Sequence, residues 1–257
     1  MARAFVTGSS TGLGLMAAQL LLELGHRVVV HGRNQARADV ALAAAPRADA
    51  AVIGDLSKIR DMRAVAEQVN RLGEFDAVIH NAGIGYRESR RIETEDRLPA
   101  LFATNTLAPY VLTALIERPK RLVYLSSGMH RSARLDIDDL TWARRSWRGA
   151  EAYAETKLHD VLIAFAVARR WPDVLSNALE PGWVATRMGG ASAPDTLDEA
   201  HRTQVWLAVS HDPDALVSGR YFYHMQLRQP NRIAECETAQ EALCGACERL
   251  SGVVLPD

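Results

Sequence analysis

The chain alternates short apolar runs with longer stretches in which apolar positions return at helical spacing. Apolar runs bounded by turn residues fall at 3–7, 26–31, 50–53, 75–79, 121–125, 174–179 and 220–224. Between them, helical patterns fall at about 14–24, 34–44, 58–72, 96–117, 150–170 and 196–210, with a last one at about 233–250. Strand–helix alternation of this kind predicts parallel strands joined by right-handed crossover helices, which lie on both faces of one sheet. No repeat, low-complexity tract or linker divides the 257 residues. The expectation is one α/β domain over 1–257, doubly wound, with a seven-stranded and mostly parallel sheet. Two stretches break the alternation, 128–149 ("GMHRSARLDIDDLTWARRSWRG") and 183–195 ("WVATRMGGASAPD"). Both follow the C-terminal end of a predicted strand, the edge where open α/β sheets bind ligands. They are expected to form a substrate wall and a mobile lid, with Gly189 and Gly190 as hinge.

Composition narrows the function classes. A formal net charge of −1 argues against a nucleic-acid surface or a polybasic membrane anchor. No apolar run approaches the roughly 20 residues that span a bilayer. Strand-like sequence begins within three residues of the first, so no signal peptide is expected and the predicted location is cytoplasmic. An odd set of three cysteines, Cys236, Cys244 and Cys247, does not resemble a disulfide framework and points to a reducing compartment. The "CGAC" at 244–247 lacks a second pair to complete a zinc site, so it reads as helix packing and no metal is expected. Of 30 basic residues only Lys58, Lys120 and Lys157 are lysines. Chemistry that needs a compact ammonium cannot exchange it freely for a guanidinium. Lys58 and Lys120, at a helix start and a strand start, read as solvated charges.

Candidate chemistry begins at "VTGSSTGLGL", residues 6–15, where three glycines sit between the first strand and the first helix. A helix N-terminus offers unpaired N–H groups to a phosphate, and glycine lets backbone approach a pyrophosphate closely. In "AYAETKLH" Tyr153 and Lys157 stand four apart, on one face of a helix. At about 4 Å and an effective dielectric of about 20, an ammonium would favour the phenolate by about 4 kcal/mol. That would draw the tyrosine toward working pH, where acid–base catalysis is efficient.

Taken in order, Thr7, Gly8, Gly12 and Gly14 (T-G-x-x-x-G-x-G), Asp55, Asn81-Ala82-Gly83, Asn105, Ser126-Ser127, Tyr153-x-x-x-Lys157 and Pro181-Gly182 resemble the short-chain dehydrogenase/reductase family. The likeness runs from residue 3 to about 186. It implies a Rossmann fold, with Tyr153 as proton donor to a carbonyl or acceptor from an alcohol. Lys157 would lower the tyrosine's pKa and hold the nicotinamide ribose, a serine would bind the substrate oxygen, and Asn105 would hold a relay water. Relatives place that serine second in such a pair, hence Ser127; strand alternation allows only one of the two to face the site. Cofactor contacts implied by the resemblance are Gly8, Ser10, Thr11, Gly12, Leu13 and Gly14 for pyrophosphate and ribose, Asp55 and Leu56 for adenine, and Asn81, Ala82 and Gly83 beneath the adenosine ribose. Tyr153, Lys157, Pro181, Gly182 and Val184 would meet the nicotinamide half, and Thr186 its carboxamide. His80, where relatives commonly carry another asparagine, reads as a strand-end histidine.

The second strand ends in Gly32 and Arg33 where NAD-using domains carry an acid, so the expected cofactor is NADP rather than NAD. The gap of 26 residues between Ser127 and Tyr153 is about twice that of many relatives and resembles retinol dehydrogenases. Trp142, Trp147, Trp183, Met129 and Met188 suggest an apolar, aromatic or polycyclic ligand. The leading reading is an oxidoreductase on a small-molecule ketone, aldehyde or alcohol, with a homodimer or homotetramer implied by the resemblance. A catalytically silent dinucleotide-binding regulator is the alternative, though it has no need of all four residues Asn105, Ser127, Tyr153 and Lys157. A nucleotide-sugar epimerase or dehydratase would carry G-x-x-G-x-x-G and a larger C-terminal domain, which this chain lacks.

Overall fold

The computed structural model describes residues 1–186 and 188–257. One sheet contains β1 Arg3–Val6, β2 Arg27–Gly32, β3 Ala50–Ile53, β4 Ala77–His80, β5 Arg121–Leu125, β6 Leu175–Glu180, β7 Tyr221–Tyr223 and β8 Gln226–Leu227, in the order β3-β2-β1-β4-β5-β6-β7-β8. The first seven strands run parallel and are the seven expected; β8 pairs antiparallel with β7. The sheet thus has eight strands rather than seven. The added strand is turned at His224 and Met225, both at positive φ (48° and 61°). That is the backbone a two-residue hairpin needs, usually signalled by Asn or Gly. Neither stands here.

Helices α1 Gly12–Glu23, α2 Gln35–Ala44, α3 Ile59–Arg71, α4 Ala100–Phe102, α5 Ala108–Leu115, α6 Gly149–Arg170, α7 Leu197–Ala200, α8 Arg202–Val209 and α9 Glu237–Ser251 flank the sheet. Strand alternation sorts the core into two layers. Leu122 and Tyr124 of β5 pack with α3, α5, α6 and α9, whereas Val123 and Leu125 pack with α1 and α8. The pattern read as one helix over 96–117 is α4, then a π turn at Ala103–Leu107, then α5. Such wide turns are often found at functional sites, and Asn105 lies in this one. The C-terminal segment crosses α5 and α6. The Tyr110 hydroxyl donates to the Val253 carbonyl (3.0 Å) and accepts from the Leu255 N–H (3.2 Å), and the Trp171 indole donates to the Pro256 carbonyl (2.9 Å). Cys244 and Cys247 are buried under α9, as helix packing predicted.

The 128–149 stretch is ordered by charge. The Asp139 carboxylate accepts from the backbone N–H groups of Ala143 (2.8 Å) and Arg145 (3.0 Å). The Arg145 guanidinium joins Asp139 (3.2 Å) to Glu155 of α6 (2.8 Å) while lying 4.0 Å over the Trp142 ring. Trp142 in turn donates its indole N–H to Glu155 (2.8 Å). Both carboxylates are almost fully buried, so this part of the stretch is tied to α6.

Candidate active site

The β1–α1 loop is built around Thr7. Its hydroxyl accepts from the backbone N–H groups of Asn81 (3.0 Å) and Ala82 (2.9 Å), and the Asn81 amide donates to the Thr7 carbonyl (3.0 Å). Gly8 takes φ +63°, and a Cβ there would lie 2.8 Å from the Ala82 Cα. Gly14 abuts the Asn81 amide so closely that a side chain would displace it. Sequence reading missed the support beneath. His31 of β2 is buried, accepts at Nδ1 from the Gly8 N–H (3.0 Å), and through Nε2 reaches the Gly54 carbonyl (2.9 Å). An accepting Nδ1 places the proton on Nε2, and burial lowers the imidazole to about 4, so the ring is neutral. Its only sequence cue was a polar residue in an otherwise apolar strand.

The remaining nucleotide-end residues gather on the same edge. Thr11 and Gly12 are exposed at the start of α1, and no side chain caps that helix; Ser10 and Leu13 are half-buried. Among the described residues Asn81 Oδ1 is buried without a partner, an acceptor suited to a ribose hydroxyl. Uncapped helix start, glycine loop and orphan acceptor together fit a dinucleotide. Asp55 turns its carboxylate onto the Ser57 hydroxyl (2.8 Å) and backbone N–H (3.1 Å), and the Leu56 side chain enters the core. At the end of β2 any side chain at Gly32 would run into the backbone of Arg37 and Ala38 in α2. Arg33 follows it, exposed.

At the other end, Tyr153 and Lys157 lie one turn apart on α6, with the Lys157 ammonium 5.9 Å from the Tyr153 ring centre. The two serines are separated as alternation requires. Ser126 is buried and donates to the Lys157 carbonyl (2.6 Å), whereas Ser127 is half-buried beside Tyr153 and accepts from the Met129 N–H (3.3 Å). Asn105 is fully buried. Its amide donates to the Ile84 carbonyl (3.1 Å) and the Thr156 hydroxyl (3.1 Å), and its oxygen accepts from the Ile84 N–H (2.8 Å). Gly83 lies between Asn105 and Lys157. Pro181 and Gly182 follow β6; Val184 is buried, and the Thr186 hydroxyl accepts from the Gly189 N–H (3.1 Å).

The apolar surroundings were only partly anticipated. Tyr153 packs in a separate cluster with Leu101, Trp142 and Ala152, edged by Ile84, Tyr86, Met129, Trp147 and Met188. Trp183 is instead half-exposed. The expected lowering of the Tyr153 pKa is not what this structure produces. Burial raises it and outweighs the Lys157 charge and the Ser127 hydroxyl, which both pull it down. The Asp160 charge adds to the rise; its carboxylate and the Leu125 carbonyl both bond to the Lys157 ammonium, each at 2.8 Å, and sequence reading missed this partner. His80 is half-satisfied, its Nε2 on the Thr113 hydroxyl (3.1 Å) and its Nδ1 buried with no partner among the described residues.

Comparison with known proteins agrees with the geometry. Residues 2–121 match the family model for short chain dehydrogenases. An uncharacterized oxidoreductase, AN7799 of Emericella nidulans, is 43% identical over 100% of this chain and 99% of its own length. The short-chain dehydrogenase chyC of Penicillium rubens is 38% identical, covering both chains completely. A crystal structure of an uncharacterized protein from Mycobacterium Paratuberculosis superposes with a TM-score of 0.84 at 24% identity, over 100% of this chain and 96% of that one. The chain belongs to the short-chain dehydrogenase/reductase family. It is therefore an oxidoreductase of alcohol or carbonyl groups, with a nicotinamide dinucleotide as cofactor. No helix among the described residues is long and apolar enough to cross a membrane.

Proposed function

We propose that the chain is an NADPH-dependent reductase of apolar ketones or aldehydes, with Asn105, Ser127, Tyr153 and Lys157 as its working residues. The observation that carries this reading is Tyr153 itself, which has Lys157 one turn away, Ser127 beside it and a ring of apolar side chains around it. The bound dinucleotide would supply the hydride. Tyr153 Oη gives its proton to the carbonyl oxygen as negative charge develops there, and the Ser127 hydroxyl donates a hydrogen bond to the same oxygen. The Lys157 charge favours the phenolate that remains. Asn105 has its side chain committed to Ile84 and Thr156, so its contribution is to hold the π turn beside Lys157 rather than to bind a relay water through its amide. Ile84, Tyr86, Met129, Trp147 and Met188 exclude water and select an apolar substrate.

NADP is favoured over NAD because α2 leaves no room for a carboxylate at position 32, while Arg33 is free to meet a 2′-phosphate. Free thiols at Cys236, Cys244 and Cys247 accord with a reducing cytoplasm. A homodimer or homotetramer would have to use a surface other than the one on α5 and α6 that α9 and the C-terminal residues cover. The test is turnover against a panel of aromatic ketones and aldehydes with NADPH and NADH. Reduction with NADPH preferred is expected; no turnover of any carbonyl, or a preference for NADH, overturns the reading.

A further inference from the structure

Lys157 does not stand alone on α6. Its ammonium bonds to the Leu125 carbonyl at the end of β5 and to Asp160 Oδ2 three residues on, both at 2.8 Å. The two side chains are sealed from solvent, 6% and 3% exposed. Two of the three ammonium N–H groups are thereby committed. The third is left for the side of the cleft on which Gly83 and Asn105 lie, since a Cβ at Gly83 would stand 3.6 Å from Nζ and 3.5 Å from Asn105 Oδ1. A lysine buried this completely without an anion sheds its proton near or below neutral pH. We propose that Asp160 is a positioning residue, whose carboxylate keeps Lys157 charged and turns its one remaining N–H toward Tyr153 and the cofactor side of the cleft.

Among the described residues, the neighbours leave no other group to do this. Tyr153 shares the helix and is neutral, held there by burial. From β5, Tyr124 stacks on His80 of β4 (4.7 Å between rings) and bonds to Thr113 of α5 (2.7 Å). Burial keeps Tyr124 protonated, His80 neutral with its pKa lowered to about 3, and Cys244 of α9 a thiol raised to about 11. His159, next to Asp160 in sequence, is likewise neutral and turned to Thr106 (3.0 Å). Among the described residues, charge in this shell therefore resides on Lys157 and Asp160. A carboxylate paying the burial penalty itself stays above the usual range, about 6, and loses its charge on the acid side.

The consequence for turnover rests on the reductase reading; the pairing does not, so the test reads both. With three lysines in the chain, NMR of ε-carbon-labelled lysine resolves Lys157 from Lys58 and Lys120, assigned by Lys157→Arg. Asp160→Asn removes the charge and keeps the shape, with Asp160→Ser as second variant should the first not fold. Expected is a Lys157 titration about one pH unit or more below wild type. The alkaline limb of kcat/KM for NADPH-dependent reduction of 1-tetralone should move down with it, about a tenfold loss one unit above the new midpoint. An unmoved lysine titration overturns the pairing. A lysine titration that moves while the rate falls uniformly at every pH overturns the positioning role. A wild type that reduces no carbonyl sinks the reductase reading, and the lysine titration still decides the pairing.

Discussion

Tyr153 is held protonated by burial, so its proton is available to a carbonyl and its loss should be felt in chemistry rather than in binding. Tyr153→Phe keeps the ring packed against Tyr86 (5.6 Å between rings) and removes only the hydroxyl. Turnover should fall about a hundred- to ten-thousand-fold. Dinucleotide affinity, followed by cofactor fluorescence, should be nearly unchanged; wild-type-like rates would exclude Tyr153 as the acid. Lys157→Arg should also fail, because a planar guanidinium cannot take the place of a compact ammonium between Leu125 and Asp160. Arg33→Ala should lower catalytic efficiency with NADPH about ten- to a hundredfold, the value of one charge-assisted contact, and leave NADH nearly untouched. Equal losses with both cofactors would remove the phosphate role. At this scale the sequence was legible wherever one side chain acts within a short motif, as at Tyr153, Lys157 and the Thr7–Gly14 loop. It was silent where the partner comes from elsewhere in the fold. His31 matters because Gly8 and Gly54 close over it, and Ser127 differs from Ser126 because Lys157 takes the buried one.

Helices and strands fell where the apolar period put them, because a strand buried on both faces and a helix packed on one leave distinct spacings. Irregular elements did not. The π turn around Asn105 has the composition of a helix, and the β7–β8 hairpin turns on His224 and Met225 without a glycine. The polar 128–149 stretch carries no sequence sign of which of its charges pair with one another. Asp139 and Glu155 share the Arg145 guanidinium against α6. Removing the guanidinium leaves two buried carboxylates facing each other, so Arg145→Leu should destabilise the fold by about 3 kcal/mol, the scale of a broken buried pair. Arg145→Lys should rescue little, lacking the fork that reaches both carboxylates. Urea denaturation measures the loss, and hydrogen exchange over 133–148 should rise ahead of the rest of the chain. An Arg145→Leu variant with wild-type stability would mean that these carboxylates are hydrated and the stretch is loose after all.

The molecule as a whole stores neutral imidazoles where its layers meet. His31 under the glycine loop, His80 against Tyr124, His130 against Tyr221 and His159 against Phe102 are all buried. Burial lowers their pKa values from 6.5 to about 4, 3, 4 and 3 respectively. Above pH 6.5 both folded and unfolded chains leave these rings neutral, and stability does not depend on them. As pH falls below 6.5 the unfolded chain takes up protons that the folded chain refuses, until the folded values are reached. Each ring then costs about 1.4 kcal/mol per pH unit. Asp160, Glu155 and Glu180, raised by burial, act in the opposite sense over part of the same window, because their protonation favours the folded state. Glu88 is raised by burial in the same way, and the four rings, held neutral down to about 4 or 3, set the direction of the net effect. Unfolding free energy from urea titrations should therefore be lower by about 4 kcal/mol at about pH 5.5 than at about pH 7.5, a large share of a typical domain's stability. Replacing His159 by Gln, which keeps a polar group near Thr106 and cannot titrate, should make that decline shallower by about one ring's worth. A profile flat across this range would show that the folded protein accepts these protons, and the acid sensitivity of the layers would have to be abandoned.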